Sequence, residues 1–427
     1  MKEVGANCFL YEAYTGESIL IDCGVHPEYD FDPHEIWERF IILKDKNVKA
    51  IVLTHVHQDH AGAAIIIANM LKVPIFTSRF GYLFLMSWQK AASTEDFEEM
   101  VLPEINIFEH GSSFEIGPFA INVFELAHSI PESFCFLIKV GGKTALHCGD
   151  FKLTGYRKDS FDKNIELINT LAKERVDLVV NDIINIKHSG ITPPEEPVVD
   201  NVIDIICQNP NGKHFVFMFS TNMRRMINLW MNLHKRGVNV SFRGTSVHRT
   251  AHILSEAAGN DLKKTFHLPS ARTNVFICTG SQGEPNSFMD RLANGKSHPP
   301  VAGGDHVYVS STIIPQEKKV FQANKARLRR LLQNLHVKGA SIFVHSNQAR
   351  ILDIREFATE TLLHVSGHEA RGGIKLFWKI LQPAMILPYH APVQHIEIAK
   401  HVAKELETET EHSPLILEPS NNETFII

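Results

Sequence analysis

The stretch THVHQDHAG, residues 54–62, places three histidines and an aspartate within six positions. It directly follows the apolar run 48–53, which predicts a buried strand. Alternate residues of an extended segment point the same way, so His55 and His57 can bind one metal ion together. Asp59 and His60 follow on a turn and suit a second ion roughly 3.5–4 Å from the first, the spacing of two-metal hydrolases. The HxHxDH spacing therefore predicts half of a two-metal site in one strand-to-helix loop.

Further metal ligands are expected at the ends of other strands. His128 follows the apolar run 121–127, and Asp150 ends the strand-like run TALHCGD. A histidine or aspartate at a strand end is usually a solvated turn residue, so neither residue is informative alone. Their position in the chain after the HxHxDH stretch makes both candidates.

Length, composition and charge limit the classes of protein to consider. The chain has 427 residues, of which 44% are hydrophobic, and this is too long for one average core. No window approaches the roughly 18 consecutive apolar residues of a spanning helix, and the start, MKEVGANCFLYEA, lacks the pattern of a signal peptide. We therefore expect a soluble cytoplasmic protein that does not bind membranes. The formal net charge of −5 means that nucleic-acid binding would require a local basic face or metal ions.

The order of predicted elements divides the chain. Up to about residue 150, short β-rich runs alternate with turns, which predicts a sheet covered on both faces, and residues 62–71 predict a buried helix. The segment TPPEEP, residues 192–197, interrupts helix and strand and predicts a domain junction. Beyond it, strands at 213–220, 238–243 and 274–278 alternate with helices at 223–236 and 248–258, which predicts a parallel α/β unit.

Two sets of motifs resemble known families. THVHQDHAG, then AHSIPES and HCGDFK, resemble the metallo-β-lactamase superfamily, and ILIDCG resembles its first motif. FSTNMRRM (219–226), CTGSQGEP (278–285), DHVYVSSTIIPQEK (305–318) and HVSGHEA (364–370) resemble its β-CASP branch, and most closely the ribonuclease J family. The resemblance covers nearly the whole chain. It implies an α/β fold, an αββα metallo-β-lactamase sandwich at 1–196 and 356–427 with an inserted α/β β-CASP domain at 197–355.

The resemblance also implies a ligand set for two Zn²⁺ ions per chain, with Mn²⁺ or Mg²⁺ as alternatives. Asp150 would bridge the two ions. The remaining implied ligands are His55, His57 and His128 for one ion and Asp59, His60 and His390 for the other.

Other roles follow from the same resemblance. His368 is the implied general acid, because an imidazole that titrates near neutrality can donate a proton at working pH, and Asp59 would orient the attacking water. Asp22 would orient the ligand loop through hydrogen bonds, and Asp182 in VVNDIIN matches the acidic motif of the branch. Arg224 and Arg225 stand where the family usually has His-Arg, so a phosphate-binding cation is retained there. The implied pocket for the nucleotide phosphate consists of Ser220, Asn222, His364, Ser366, Gly367 and His368.

These roles imply a zinc-dependent ribonuclease of the ribonuclease J type, which acts on RNA in processing and decay as a 5′–3′ exonuclease, an endonuclease or both. His390 favours RNA, because RNA-processing members carry histidine there and DNA-processing members typically carry valine. A DNA nuclease of the same fold, a small-molecule hydrolase and a non-catalytic RNA-binding relative are the alternatives. The chain ends soon after His390, so we expect it to lack the C-terminal domain through which ribonuclease J dimerises, and a homodimer is left open.

Overall fold

The structure is a computed structural model that describes residues 5–26, 32–92, 101–257, 273–314, 318–390, 392–418 and 423–426. The chain forms two compact units. Unit 1 combines the residues up to Pro193 with those from Ser366 onward, and unit 2 is Pro194–Val365. The first of these breaks falls inside the TPPEEP segment. Residues 315–317 of the DHVYVSSTIIPQEK motif and residue 258 of a predicted helix lie outside the described residues.

Unit 1 contains two β-sheets. The strands of its first sheet, in spatial order, are β1 (Phe9–Glu12), β2 (Glu17–Ile21), β3 (Asn47–Val52), β4 (Ile75–Ser78) and β5 (Ile105–Phe108). β1 is antiparallel to β2, and the other neighbours are parallel. The strands of the second sheet, in spatial order, are β18 (Leu415–Ile416), β17 (Met385–Tyr389), β10 (Leu178–Asp182), β9 (Lys143–His147), β8 (Phe134–Val140), β7 (Phe119–Glu125) and β6 (Ser113–Ile116). This sheet is parallel from β18 to β9 and antiparallel from β9 to β6.

Helices cover the outer face of each of the two sheets. The helices of unit 1 are α1 (Pro33–Arg39), α2 (Gln58–Ala61), α3 (Ala64–Leu71), α4 (Arg79–Ala92), α5 (Lys158–Leu171), α12 (Arg371–Leu381) and α13 (Val393–Thr410), with 3₁₀ turns at Ile41–Asp45 and Ala172–Glu174. One apolar core joins the inner faces of the sheets, and includes Ile21 and Val52 opposite Phe136. A second core packs α5, α12 and α13 on the outer face of the second sheet, with Trp378 at its centre, while α3 and α4 contact the first sheet. These layers form an αββα sandwich, as expected.

The burial of the strands follows from these layers. β7 alternates buried and partly buried residues, because only one of its faces is fully covered. β10 is buried at every position, because helices cover one face and the other sheet covers the other. The helix predicted at 62–71 is α3, which begins at Ala64, and the short helix α2 precedes the predicted range. Among the described residues, no helix combines the length and the apolar character needed to cross a bilayer.

Unit 2 is a parallel α/β domain. Its strands, in spatial order, are β12 (Val240–Arg243), β13 (Val275–Cys278), β11 (His214–Phe217), β14 (His306–Val309), β15 (Ser341–Val344) and β16 (Ala358–Glu360). Its helices are α6 (Glu196–Gln208), α7 (Met223–Lys235), α8 (Thr245–Ala257), α9 (Phe288–Ala293), α10 (Lys318–Val337) and α11 (Ser346–Leu352). All neighbouring strands are parallel. β11 and β13 are fully buried apolar strands, as expected for a parallel sheet covered on both faces.

The TPPEEP segment starts a helix that the sequence analysis did not predict. α6 begins at Glu196, so Pro197 lies in its first turn. A proline in the first turn costs little, because the backbone N–H that it lacks has no partner within the helix at that position. The expectation that this segment interrupts helical structure was therefore wrong for its last two residues.

Arg225 is a structural residue of unit 2. Its guanidinium contacts Glu195 Oε2 through Nε and Nη2, both at 2.8 Å, and the two side chains are 2% and 3% exposed. Nη1 also donates to the Ser310 carbonyl at 2.7 Å, and Nη2 donates to the Val365 carbonyl at 3.2 Å. The guanidinium of Arg225 is therefore engaged within unit 2, and the expectation of a phosphate-binding cation at Arg224 and Arg225 stays a prediction.

We expect Arg225→Ala to destabilise unit 2 by about 3 kcal/mol, because it leaves the carboxylate of Glu195 buried without its cation. Hydrogen–deuterium exchange of the α7 amides under native conditions measures this change. Arg236→Ala is the matched control, because Arg236 is exposed at the end of the same helix. Equal exchange in the two variants would show that the ion pair does not stabilise the unit.

Candidate metal centre

The candidate ligands lie where strands of unit 1 end. His55 and His57 follow β3, His128 follows β7, Asp150 follows β9 and His390 follows β17. β7 and β9 are both antiparallel to β8, so they run the same way and their carboxyl ends lie at one edge of the sheet. α2 holds Asp59 and His60 in a single turn directly after the β3 loop.

His55, His57, His128 and Asp150 form the first cluster, in which one ligand atom from each residue lies within 4.8 Å of the others. His57 Nδ1 is 3.0 Å from His55 Nε2 and 3.2 Å from His128 Nε2. Asp150 Oδ2 is 3.9 Å from His55 Nε2 and 3.8 Å from His128 Nε2. Burial, reinforced by neighbouring histidines, lowers the pKa of both His55 and His128 well below the usual value. These imidazoles are therefore neutral, the form that binds a metal ion.

Asp59, His60, Asp150 and His390 form the second cluster, by the same measure. His60 Nε2 is 3.3 Å from His390 Nε2 and 3.4 Å from Asp150 Oδ2. Asp59 Oδ2 and Asp150 Oδ1 are each 3.4 Å from His390 Nε2. Burial opposes protonation of His60, but Asp150, Asp22 and Asp59 outweigh it and raise its pKa well above the usual value. The carboxylates of Asp150, Asp22 and Asp59 thus favour a positive charge at the second cluster.

The donor set of the two clusters fits a pair of divalent cations. Imidazole nitrogens and carboxylate oxygens are the ligands that zinc prefers, and each cluster offers four of them. Asp150 belongs to both clusters, and it is 2% exposed. Burial disfavours its charged form, but His60, His390 and His368 hold the Asp150 pKa well below the usual value. A buried carboxylate shared by two groups of histidines is the arrangement that a two-metal centre requires.

Asp22 supports the loop that carries the HxHxDH stretch. Its Oδ1 accepts from the Thr54 backbone N–H at 2.7 Å, and its Oδ2 accepts from the Thr54 hydroxyl at 2.8 Å and lies 2.7 Å from His60 Nδ1. Gly24 lets this segment approach, since a Cβ there would lie 1.8 Å from the Asp59 carbonyl oxygen. With Nδ1 bonded to Asp22, His60 presents Nε2 to the second cluster.

We expect Asp22→Asn to weaken metal binding by about 10- to 100-fold, because loss of the partner of a ligating histidine has effects of this size. Competition with a chromophoric chelator measures the affinity. Asp159→Asn is the control, because Asp159 is an exposed residue of α5. Unchanged affinity in Asp22→Asn would mean that the hydrogen bond to His60 does not matter for binding.

His368 lies beside the shared carboxylate. Its Nδ1 is 2.6 Å from Asp182 Oδ2 and 3.8 Å from Asp150 Oδ2. Burial opposes protonation, but Asp182 and Asp150 raise the His368 pKa to about 9. His368 is therefore protonated at neutral pH and can donate a proton there. The expectation from the sequence was different, because it took the imidazole to titrate near neutrality. The neighbouring Gly367 carbonyl lies 2.9 Å from His128 Nδ1, which ties this segment to the first cluster.

Four residues at the centre were not predicted from the sequence. The Asn7 amide nitrogen is 3.0 Å from His60 Nε2 and 2.9 Å from His390 Nε2. The Tyr389 hydroxyl donates to Asp150 Oδ1 at 3.2 Å. Buried Lys152 donates to the Ser366 carbonyl at 3.0 Å, and Glu369 accepts from the Leu153 backbone N–H at 2.7 Å. Lys152 and Glu369 lie inside the quoted motifs HCGDFK and HVSGHEA, and Tyr389 directly precedes His390, but the patterns alone did not indicate these contacts.

The predicted phosphate pocket is divided between the two units. Ser220, Asn222 and His364 belong to unit 2, whereas residues 366–368 belong to unit 1. Asn222 is buried and its side chain accepts from the Arg225 backbone N–H at 3.2 Å, which caps α7. Ser366 Oγ accepts from the His368 backbone N–H at 3.1 Å. The role of these residues in binding a phosphate stays a prediction.

His147, which the sequence analysis left without a role, is a core residue. It is fully buried, and its Nδ1 is 2.9 Å from the Tyr11 hydroxyl. Burial lowers its pKa to about 3, so it is neutral at physiological pH. It contacts the Phe9 and Tyr389 rings and belongs to the packing between the sheets.

Comparison with known proteins agrees with this fold. Residues 1–161 match the family model of the metallo-beta-lactamase superfamily, and residues 211–328 match that of the ribonuclease J beta-CASP domain. The chain is 27% identical to ribonuclease J of Sinorhizobium meliloti over 92% of this chain and 68% of that protein. It is 26% identical to ribonuclease J of Thermus thermophilus over 92% of this chain and 67% of that protein.

A solved structure of a protein of unknown function from Enterococcus faecalis V583 has the same fold. It superimposes with a TM-score of 0.64 at 14% sequence identity and covers 99% of this chain and 97% of that chain. At this identity the likeness concerns the fold alone. Together with the αββα sandwich, the two family matches assign residues 1–161 to the metallo-β-lactamase superfamily and residues 211–328 to a β-CASP domain of the ribonuclease J type.

Proposed function

We propose that the chain is a ribonuclease that hydrolyses RNA phosphodiesters with two Zn²⁺ ions, in RNA processing and decay. The observation that carries the proposal is the position of Asp150, whose carboxylate lies in both clusters of candidate ligands and 3.8 Å from His368 Nδ1. The relatives named ribonuclease J, which align with more than nine-tenths of the chain, support a nuclease. Mn²⁺ and Mg²⁺ remain the alternative metals.

The bound ions, Asp59 and His368 have different roles in the proposed reaction. When bound, the ions would lower the pKa of water and neutralise charge on the phosphodiester. Asp59, whose Oδ2 faces His60 and His390, accepts a hydrogen bond from the attacking water and orients it. His368 holds a proton on Nε2, because Nδ1 is engaged by Asp182, and donates it to the departing 3′ oxygen.

RNA is the proposed substrate rather than DNA. His390 lies in the second cluster with its Nε2 aimed at Asp59 and Asp150, so the position that differs between RNA- and DNA-processing members carries a potential ligand here. The convergence of all seven candidate ligands supports a catalytic protein over a non-catalytic RNA-binding relative. We also propose that the protein acts in the cytoplasm. Whether it is a monomer or a homodimer can be measured by light scattering in solution.

The direct test uses purified protein with 5′-monophosphate, 5′-triphosphate and 5′-hydroxyl RNA of one sequence, together with the matched DNA. We expect RNA cleavage that needs a divalent metal ion and that Asp59→Ala abolishes. The lengths of the products distinguish exonuclease from endonuclease action and report the 5′-end preference. Cleavage of DNA but not RNA would support the alternative nuclease, and intact RNA under all conditions would contradict the proposal.

A further inference from the structure

The hydroxyl of Tyr389 contacts the carboxylate that both clusters share. Tyr389 is the last residue of β17, directly before His390, and it is completely buried. Its hydroxyl donates to Asp150 Oδ1 at 3.2 Å. Asp150 therefore receives a hydrogen bond from a side chain that is not itself a candidate ligand.

The Tyr389 ring is held by its surroundings. The Phe9 ring contacts it edge-on with centroids 5.3 Å apart, and the His147 ring stacks on it at 6.2 Å. The backbone is fixed as well, because Tyr389 pairs with Asp182 in the parallel ladder between β17 and β10. A phenol ring packed on these sides keeps its hydroxyl at one position.

The two oxygens of Asp150 have different neighbours. Oδ2 faces ligand atoms of both clusters, at 3.4 Å from His60 Nε2 and 3.8 Å from His128 Nε2. Oδ1 accepts the Tyr389 hydroxyl and lies 3.4 Å from His390 Nε2. The hydroxyl thus engages Oδ1, whereas the contacts of Asp150 with His60 and His128 are made by Oδ2.

We propose that Tyr389 is a positioning residue that orients the Asp150 carboxylate and keeps Oδ2 directed at the candidate ligands of both clusters. This inference rests on the proposed two-metal site. Without the hydroxyl, the carboxylate can rotate and present either oxygen, and the ligands of both ions lose a fixed geometry. Hydrogen bonds to ligating carboxylates commonly change metal affinity by about 10- to 100-fold.

Tyr11 offers a matched control in the same unit. Its hydroxyl lies 2.9 Å from His147 Nδ1 and its ring contacts the His147 ring, so Tyr11→Phe also removes one hydroxyl from the sandwich interior. Neither Tyr11 nor His147 belongs to a cluster of candidate ligands. A general loss of packing or hydrogen bonding would affect both variants alike.

The experiment compares the full-length wild type, Tyr389→Phe and Tyr11→Phe. Zn²⁺ affinity is measured by chelator competition, and Co²⁺-loaded protein is examined by visible absorption and by magnetic resonance for coupling between two ions. We expect Tyr389→Phe to lose at least tenfold in the affinity for one or both ions and to change the Co²⁺ spectrum. Tyr11→Phe should stay within about twofold of the wild type in affinity and keep its spectrum.

Wild-type affinity and spectrum in Tyr389→Phe would overturn the inference and leave the proposed function intact. A wild type that binds no ion would overturn the proposed function, and the inference with it. If Tyr389→Phe also lowers the thermal stability, p-aminophenylalanine at position 389 provides the decisive variant, because it restores a donor on the same ring. Recovery of metal affinity supports the role of the hydrogen bond, and failure to recover contradicts it.

Discussion

Asp150→Asn is expected to lower RNA cleavage on the order of 10⁴-fold, which corresponds to the several kcal/mol that metal ions contribute to such reactions. The substitution keeps the shape of the side chain but removes its charge and one of the two oxygens that face the clusters. Asp150 is the one candidate ligand in both clusters, so the affinity for both ions should fall. Metal per chain after dialysis and the initial rate on end-labelled RNA measure the two effects.

Asp159→Asn should leave both quantities unchanged, because Asp159 lies on the surface of α5 in the same unit. If Asp150→Asn keeps two ions per chain and the wild-type rate, the shared carboxylate has no role in the reaction. Loss of the rate with full metal content would instead assign Asp150 a role in catalysis but not in metal binding.

His368→Ala is expected to lower the cleavage rate by about 10²- to 10⁴-fold, the range for removal of a general acid. Metal content should stay at the wild-type value, because His368 groups with Asp150 and Asp182 and not with the histidines of either cluster. The pH dependence adds a second signature. The His368 pKa of about 9 keeps the acid form present below that pH, so the wild-type rate should fall as the pH rises through 9.

His368→Ala should lose this alkaline decline, because the group that titrates is gone. His252→Ala is the control, since the His252 side chain is exposed on α8. A His368→Ala enzyme with an unchanged alkaline decline would show that another group donates the proton. A variant with reduced metal content would show that His368 acts on the ligands.

Much of the candidate site can be predicted from the sequence, because several of its residues are close together in the chain. His55, His57, Asp59 and His60 lie on one strand end and one helical turn, so their spacing alone predicts that they converge. His390 is different, because it comes from β17, far along the chain, and only the family resemblance placed it beside His60. The β10–β17 ladder that brings it there is a long-range pairing that no local pattern encodes.

Side chains that act on the ligands were harder to predict. Tyr389 looks like an ordinary core aromatic residue of an apolar strand, and its contact with Asp150 depends on the packing of two sheets. Asn7 precedes β1 without any motif that distinguishes it, yet its amide reaches two candidate ligands. Arg225 lies in a motif that is expected to bind phosphate, yet its guanidinium pairs with buried Glu195, a contact that the sequence pattern does not indicate.

The central claim is that seven side chains hold two adjacent cations. Crystals of the protein grown with Zn²⁺ and measured on both sides of the zinc absorption edge test it directly. We expect two anomalous peaks roughly 3.5–4 Å apart, one beside each cluster, with the Asp150 carboxylate between them. Peaks at only one cluster, or zinc bound elsewhere on the chain with both clusters free of it, would contradict the claim.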